Sequence, residues 1–234
     1  MKHVLPLSFI LLASALSFGP TATLAQEPEA REPTGQDTPA LQDLDARVRA
    51  FLDAHRRAWR DMNVPEVDGQ RLYDLILENG YTRALEIGTS TGHSAIWMAW
   101  ALSKTGGKLI TVEIDQGRYN QALEYFREVG LSEYIDARLA DAHDLVPRLE
   151  GPFDFVFIDA DKDWYTRYLQ AVFPKLTLGG CITAHNVSGR RTGWVGEFLN
   201  ALEATPNLET EVTTSRGSSL SVSFKRGGGT APGQ

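Results

Sequence analysis

Cysteine is almost missing from these 234 residues, and the single one, Cys181, cannot close an internal disulfide. The fold must stand on its core, and Cys181 lies in an apolar run where packing suits it better than catalysis. Positive charge is also scarce: 23 Lys and Arg face 30 Asp and Glu, a formal net charge of −7. That balance argues against nucleic acid as the main partner. There is no internal repeat, which excludes a solenoid. The apolar run Val4 to Phe18 is too short to span a bilayer comfortably. It follows Met1-Lys2-His3 and leads through small residues to Thr23-Leu24-Ala25, so residues 1–25 read as a secretory signal cut after Ala25. With no twin-arginine pair and no lipid-anchor cysteine, Sec-type export to a periplasmic or secreted location is the simplest expectation, with no stable membrane span after processing.

Gln26 to Thr38 is rich in Pro, Glu and Gln and reads as a flexible linker, and residues 227–234 as a disordered Gly-rich tail. Between them, apolar residues at helical spacing predict an amphipathic helix over Pro39 to Arg60 and a second helix ending at Gly80. Short apolar strands then alternate with helices through Ala184, with a turn at Leu178-Gly179-Gly180. The order implies an α/β fold with a doubly wound parallel sheet. Leu208 to Thr214 and Ser219 to Phe224 are close enough in sequence to pair antiparallel.

The chain turns on Arg83 to Trp100. Ala84, Leu85 and Ile87 make a buried strand, Gly88-Thr89-Ser90-Thr91-Gly92 a turn, and the residues beyond it a helix whose free N–H groups aim over the strand's end. A dinucleotide site would want a middle glycine where Ser90 stands, and Glu86 suits a cationic ligand better than a pyrophosphate. S-adenosylmethionine, with an ammonium, a sulfonium and no phosphate, fits; the alternative is a turn that only joins strand to helix. Glu113 lies about twenty residues on, the offset at which a carboxylate can bind ribose hydroxyls. Ala140-Asp141-Ala142-His143 ends the next strand, where an adenine edge could be read. Two further strand ends deliver Asp159-Ala160-Asp161-Lys162-Asp163 and His185-Asn186 to the same face, a set with oxygen donors for a hard cation and a lysine that could serve as a general base.

With these stretches in place, namely Met62-Asn63-Val64 with Gly69-Gln70, Leu85 to Gly88 through Ser94, Val112-Glu113, Phe157 to Asp163 and Gly179 to Asn186, the chain resembles the class I S-adenosylmethionine-dependent O-methyltransferases. Within them it is most similar to the metal-dependent group that includes catechol O-methyltransferase and caffeoyl-CoA O-methyltransferase. The resemblance implies a Rossmann-like seven-stranded sheet, mostly parallel, with an antiparallel C-terminal strand. It implies that Glu86, Gly88 and Ser94 hold the cofactor's methionine end, Glu113 its ribose, and Asp141 and Ala142 its adenine. Val64 and Asp159 would also border the cofactor, and Lys162 would take the acceptor's hydroxyl proton. A divalent metal would sit on Asp159, His185 and Asn186, the acceptor would be a small catechol-like phenol, and the protein would form a homodimer. His185 is a departure, because the family has aspartate there. Imidazole suits a transition metal better than Mg²⁺, so the metal could differ, bind weakly or be absent, and His185 could instead act as a base or pack. The rival function is an exported relative that binds the nucleoside without turning it over.

Overall fold

The computed structural model describes residues 39–59, 62–188, 191–215 and 218–227. The expected signal segment, the linker and the tail beyond residue 227 lie outside the described residues. The elements run α1 (Pro39–His55), α2 (Glu66–Asn79), β1 (Arg83–Ile87), α3 (His93–Thr105), β2 (Lys108–Glu113), α4 (Gln116–Val129) and β3 (Ile135–Leu139). They continue as α5 (Ala142–Arg148), β4 (Phe153–Ile158), α6 (Tyr165–Val172), β5 (Leu176–His185), α7 (Gly193–Ala204), β6 (Leu208–Ser215) and β7 (Ser218–Lys225). Among the described residues the strands make one seven-stranded sheet in the order β3-β2-β1-β4-β5-β7-β6. β1 to β5 are parallel, and β7 runs antiparallel to β5 and β6. This is the expected doubly wound, Rossmann-like sheet.

Both faces of the central strands are buried, so successive side chains feed two separate cores. Phe155 and Phe157 of β4 pack with Leu72, Ile76, Ile96, Trp100 and Phe126 from α2, α3 and α4. Val156 and Ile158 point the other way, into Val146, Leu169, Val172 and Phe198 from α5, α6 and α7. Burying each such side chain is worth roughly 1.5–3 kcal/mol, so the helices on both faces hold the sheet together and fix where its strand ends lie. Gly80 ends α2 in the left-handed region, φ 64°, as its position predicts.

Two expectations are corrected. α1 stops at His55 and not at Arg60, because Trp59 leaves the helical path to stack on the His93 ring, centroids 4.6 Å apart, while the His55 ring bonds the Phe51 carbonyl oxygen at 2.9 Å. The residues Leu178-Gly179-Gly180 form no separate turn. They bulge within β5, whose register jumps from Phe153↔Leu176 to Phe155↔Cys181. The bulge is pinned by the Tyr81 hydroxyl, which donates to the Gly179 carbonyl at 2.8 Å.

Candidate active site

Strand order reverses between β1 and β4, and at such a switch point the loops leaving the two strands diverge and open a crevice. β1 runs into Gly88 and β4 into Asp159, whose N–H donates to the Ile87 carbonyl at 2.9 Å and ties the two ends together. Gly88 has φ 101°, and a Cβ there would meet the Asp159 carbonyl oxygen at 2.5 Å, so only glycine fits. Above this junction opens a cavity of about 420 Å³ lined by Gly88, Glu113, Asp141, Ala142, Asp159 and Lys162 among others. These six residues, expected separately from the sequence, share one space.

Each is positioned by its own strand end. Glu113 closes β2; one carboxylate oxygen accepts from Ser90 N–H at 2.7 Å and the other from Ile114 and Asp115 N–H at 3.0 and 2.9 Å. Three backbone donors thus hold a buried carboxylate ion facing the cavity. Ser90, with φ 50°, turns its N–H toward that carboxylate. Asp141 caps α5 by accepting from His143 N–H at 2.8 Å, and the His143 ring stacks on Trp164 with centroids 3.7 Å apart. Exposed Met62 and Ile114 give the cavity an apolar rim.

Val64, Glu86 and Ser94 are buried and do not line this space. Glu86, expected to turn its charge toward a ligand, is fully buried on β1, with Ser94 Oγ and Thr111 Oγ1 each donating to it at 2.5 Å. Burial outweighs those hydrogen bonds and pushes its pKa up to about 8, so the neutral acid is favoured at pH 7. At the start of α3, burial pushes His93 down to about 4. The neutral ring meets the Val64 carbonyl through Nδ1 at 2.9 Å and accepts from Trp97 Nε1–H at 3.1 Å, which fixes its tautomer.

The far wall is a chain of ion pairs. Lys162 Nζ donates to Asp159 Oδ1 and to the Tyr165 hydroxyl, both at 2.7 Å. The His185 ring lies 3.2 Å from Asp159 Oδ2 through Nδ1 and 3.0 Å from Asp68 Oδ2 through Nε2. Ser218 Oγ donates to the other oxygen of Asp68. Burial alone would lower the His185 pKa, but the two carboxylates overcome it and push it up to about 9. Of the expected metal set, Asp159 and His185 lie together, with Nδ1 3.2 Å from Oδ2 and Lys162 on the other Asp159 oxygen, while Asn186 is exposed at φ 60°. Among the described residues no group of three or more His, Cys, Asp or Glu side chains could hold a metal ion. Asp68 and Tyr165 were not anticipated. The signal for Asp68 was available, since it falls on the buried stripe of α2 with Leu72, Leu75 and Ile76, where an acid requires a partner.

A doubly wound sheet with a carboxylate-walled cavity at its switch point defines a Rossmann-like domain built for a small ligand. The chain belongs to the O-methyltransferase family, whose model matches residues 36–210. It is 43% identical over 107 residues to a catechol O-methyltransferase from Niastella koreensis, covering 44% of this chain and 48% of that protein. To caffeoyl-CoA O-methyltransferase 1 from Eucalyptus globulus it is 31% identical over 149 residues, covering 62% of this chain and 58% of that one. The matches therefore span about half the length of these curated relatives. In three dimensions it is similar to the O-methyltransferase from Bacillus cereus solved in complex with SAH, with a TM-score of 0.67, 25% identity, and coverage of 77% of this chain and 91% of that one.

Proposed function

We propose that this chain transfers a methyl group from S-adenosylmethionine to a hydroxyl of a small, catechol-like phenolic acceptor. The observation that carries the reading is the pairing, across one cavity, of a fixed Glu113 carboxylate with the Lys162 amine. The residues present fit the cofactor. About 420 Å³ lies within the ~300–1,000 Å³ of small-molecule clefts, and with two backbone donors on Oε1 and one on Oε2, Glu113 keeps a lone pair on Oε2 to accept from a ribose hydroxyl. Asp141 and Ala142 would meet the adenine, and Gly88 leaves room where any side chain would collide with the Asp159 backbone. Val64, Glu86 and Ser94 would support the methionine end from behind the cavity lining.

When bound, the cofactor supplies an electrophilic methyl group on a sulfonium. Asp159 and Tyr165 hold Lys162 at the cavity wall through two N–H donors, and Lys162, acting as the neutral amine with its lone pair free, takes the acceptor's hydroxyl proton as the oxygen–carbon bond forms and the carbon–sulfur bond breaks. Holding the oxygen in line with the breaking bond is where most of the rate would come from. The test is calorimetric titration of the full chain with S-adenosylmethionine, followed by mass detection of methylated product from a panel of catechols and monophenols. One-site binding with turnover is expected. Absence of binding by a folded sample would remove the reading, and binding without turnover on any phenol would favour the non-catalytic relative.

A further inference from the structure

The Asp68–His185–Asp159 bridge is a feature that the methyl-transfer reading leaves unused. A hard divalent cation needs several free oxygen lone pairs converging on one point, and Mg²⁺ tolerates little departure from octahedral geometry. At this wall the converging groups are already matched to one another. The ring is hydrogen-bonded through Nε2 to Asp68 Oδ2 at 3.0 Å, and its Nδ1 lies 3.2 Å from Asp159 Oδ2, so a carboxylate oxygen faces each ring nitrogen where a metal ion would have to enter. Asp159 Oδ1 is held by Lys162 at 2.7 Å, and the second Asp68 oxygen by Ser218. The His185 and Asp68 side chains are each 6% exposed, so little water reaches the contact between them, while Asp159, at 14%, also borders the cavity.

We propose that the His185 ring, clamped between Asp68 and Asp159, takes the place of the divalent cation at this end of the cavity, and that the chain works without a metal. Asp68 and His185 are then positioning residues. They fix the Asp159 carboxylate, which in turn holds Lys162 toward the acceptor. The inference rests on the methyl-transfer reading for its kinetic arm and stands apart from it in its binding arm.

The experiment uses the full chain freed of metal by chelation, in three measurements. Turnover from S-adenosylmethionine in EDTA should stay within about twofold of that in Mg²⁺ or Mn²⁺, where a metal acting as Lewis acid would be worth far more. Calorimetric titration of the chain with Mg²⁺ and with Mn²⁺ should give no saturable heat. The His185→Asp variant, in a second version combined with Asp68→Asn to leave no unpaired buried acid, should acquire saturable metal binding and, if methyl transfer operates, a dependence on metal of about tenfold or more. Activity abolished by EDTA and restored by Mg²⁺, or saturable metal binding to the unaltered chain that His185→Ala removes, would overturn the proposal. Should no phenol be methylated, the methyl-transfer reading fails alone, since the metal titrations of the unaltered chain decide the clamp without turnover. They also decide it if the variants do not fold.

Discussion

Glu86 makes stability depend on pH in the direction opposite to that of an ordinary salt-bridged carboxylate. Its folded pKa of about 8 lies above the usual 4.5, so between those values the folded chain keeps a proton that the unfolded chain has released. The stabilisation is complete below about pH 4.5 and is lost as pH rises through about 8. Three and a half pH units correspond to a ceiling of roughly 5 kcal/mol, and with relaxation around the buried ion about 2–4 kcal/mol should be measured. Urea unfolding at pH 5, 6.5 and 8 would be compared for the unaltered chain and for Glu86→Gln. Gln cannot ionise but keeps partners for the Ser94 and Thr111 hydroxyls. At pH 5 the two proteins should agree to within about 1 kcal/mol, and by pH 8 the unaltered chain should have lost about 2–4 kcal/mol relative to the variant. The His185 contribution falls in the same direction, complete below about 6.5 and lost as pH rises through about 9, but it is common to both proteins and cancels in the difference. Parallel stability curves from pH 5 to 8 would refute the assignment of a neutral Glu86.

Three substitutions probe the cavity itself. Glu113→Ala removes the carboxylate that three backbone donors orient, and calorimetry should show S-adenosylmethionine binding weakened by about 10–100-fold; unchanged affinity would detach Glu113 from the ligand. Lys162→Ala should leave that affinity within a few-fold and cut turnover by about 10²-fold or more, and a variant that turns over normally would exclude Lys162 as the base. Gly88→Ala places a methyl group 2.5 Å from the Asp159 carbonyl oxygen at φ 101°, so the urea midpoint should fall by the equivalent of about 2 kcal/mol or more; an unshifted midpoint would show that the loop yields freely.

Much of the fold was legible because its elements are regular. Strands buried on both faces read as apolar runs, and helices ending in Gly80 or Gly130 read as periodic stretches with a left-handed stop. The cavity was legible for a related reason: parallel strands deliver their C-terminal residues to one edge, so Gly88, Glu113, Asp141 and Asp159 had to meet once the strands were placed. What escaped depended on side chains choosing partners across the fold. Trp59 ended α1 early by finding His93, a contact no helical period encodes. Glu86 looked like a charge offered to a ligand because strand position reveals which end of the sheet a residue occupies, not how little water reaches it. His185 was noticed as a departure, but its role required Asp68, a residue that in sequence reads as an ordinary acid favouring the first turn of a helix.

The clamp also says something about the order in which the molecule can be assembled. Glu113 and Ser90 are 23 positions apart, and their contact needs only β1, β2 and the turn and helix α3 between them. His185 meets Asp68 across 117 positions, and Ser218 meets the same carboxylate across 150. Closing chain segments of that length is slow and comes after local structure has reduced its entropic cost. The Glu113 side of the cavity is therefore within reach of the first half of the chain as it folds, while the Asp68 carboxylate waits for β5 to bring His185 and for the last strand to bring Ser218. Until β7 pairs with β5 and brings Ser218 to Asp68, a nascent chain has the cleft but not the last hydrogen bond on the Asp68 carboxylate.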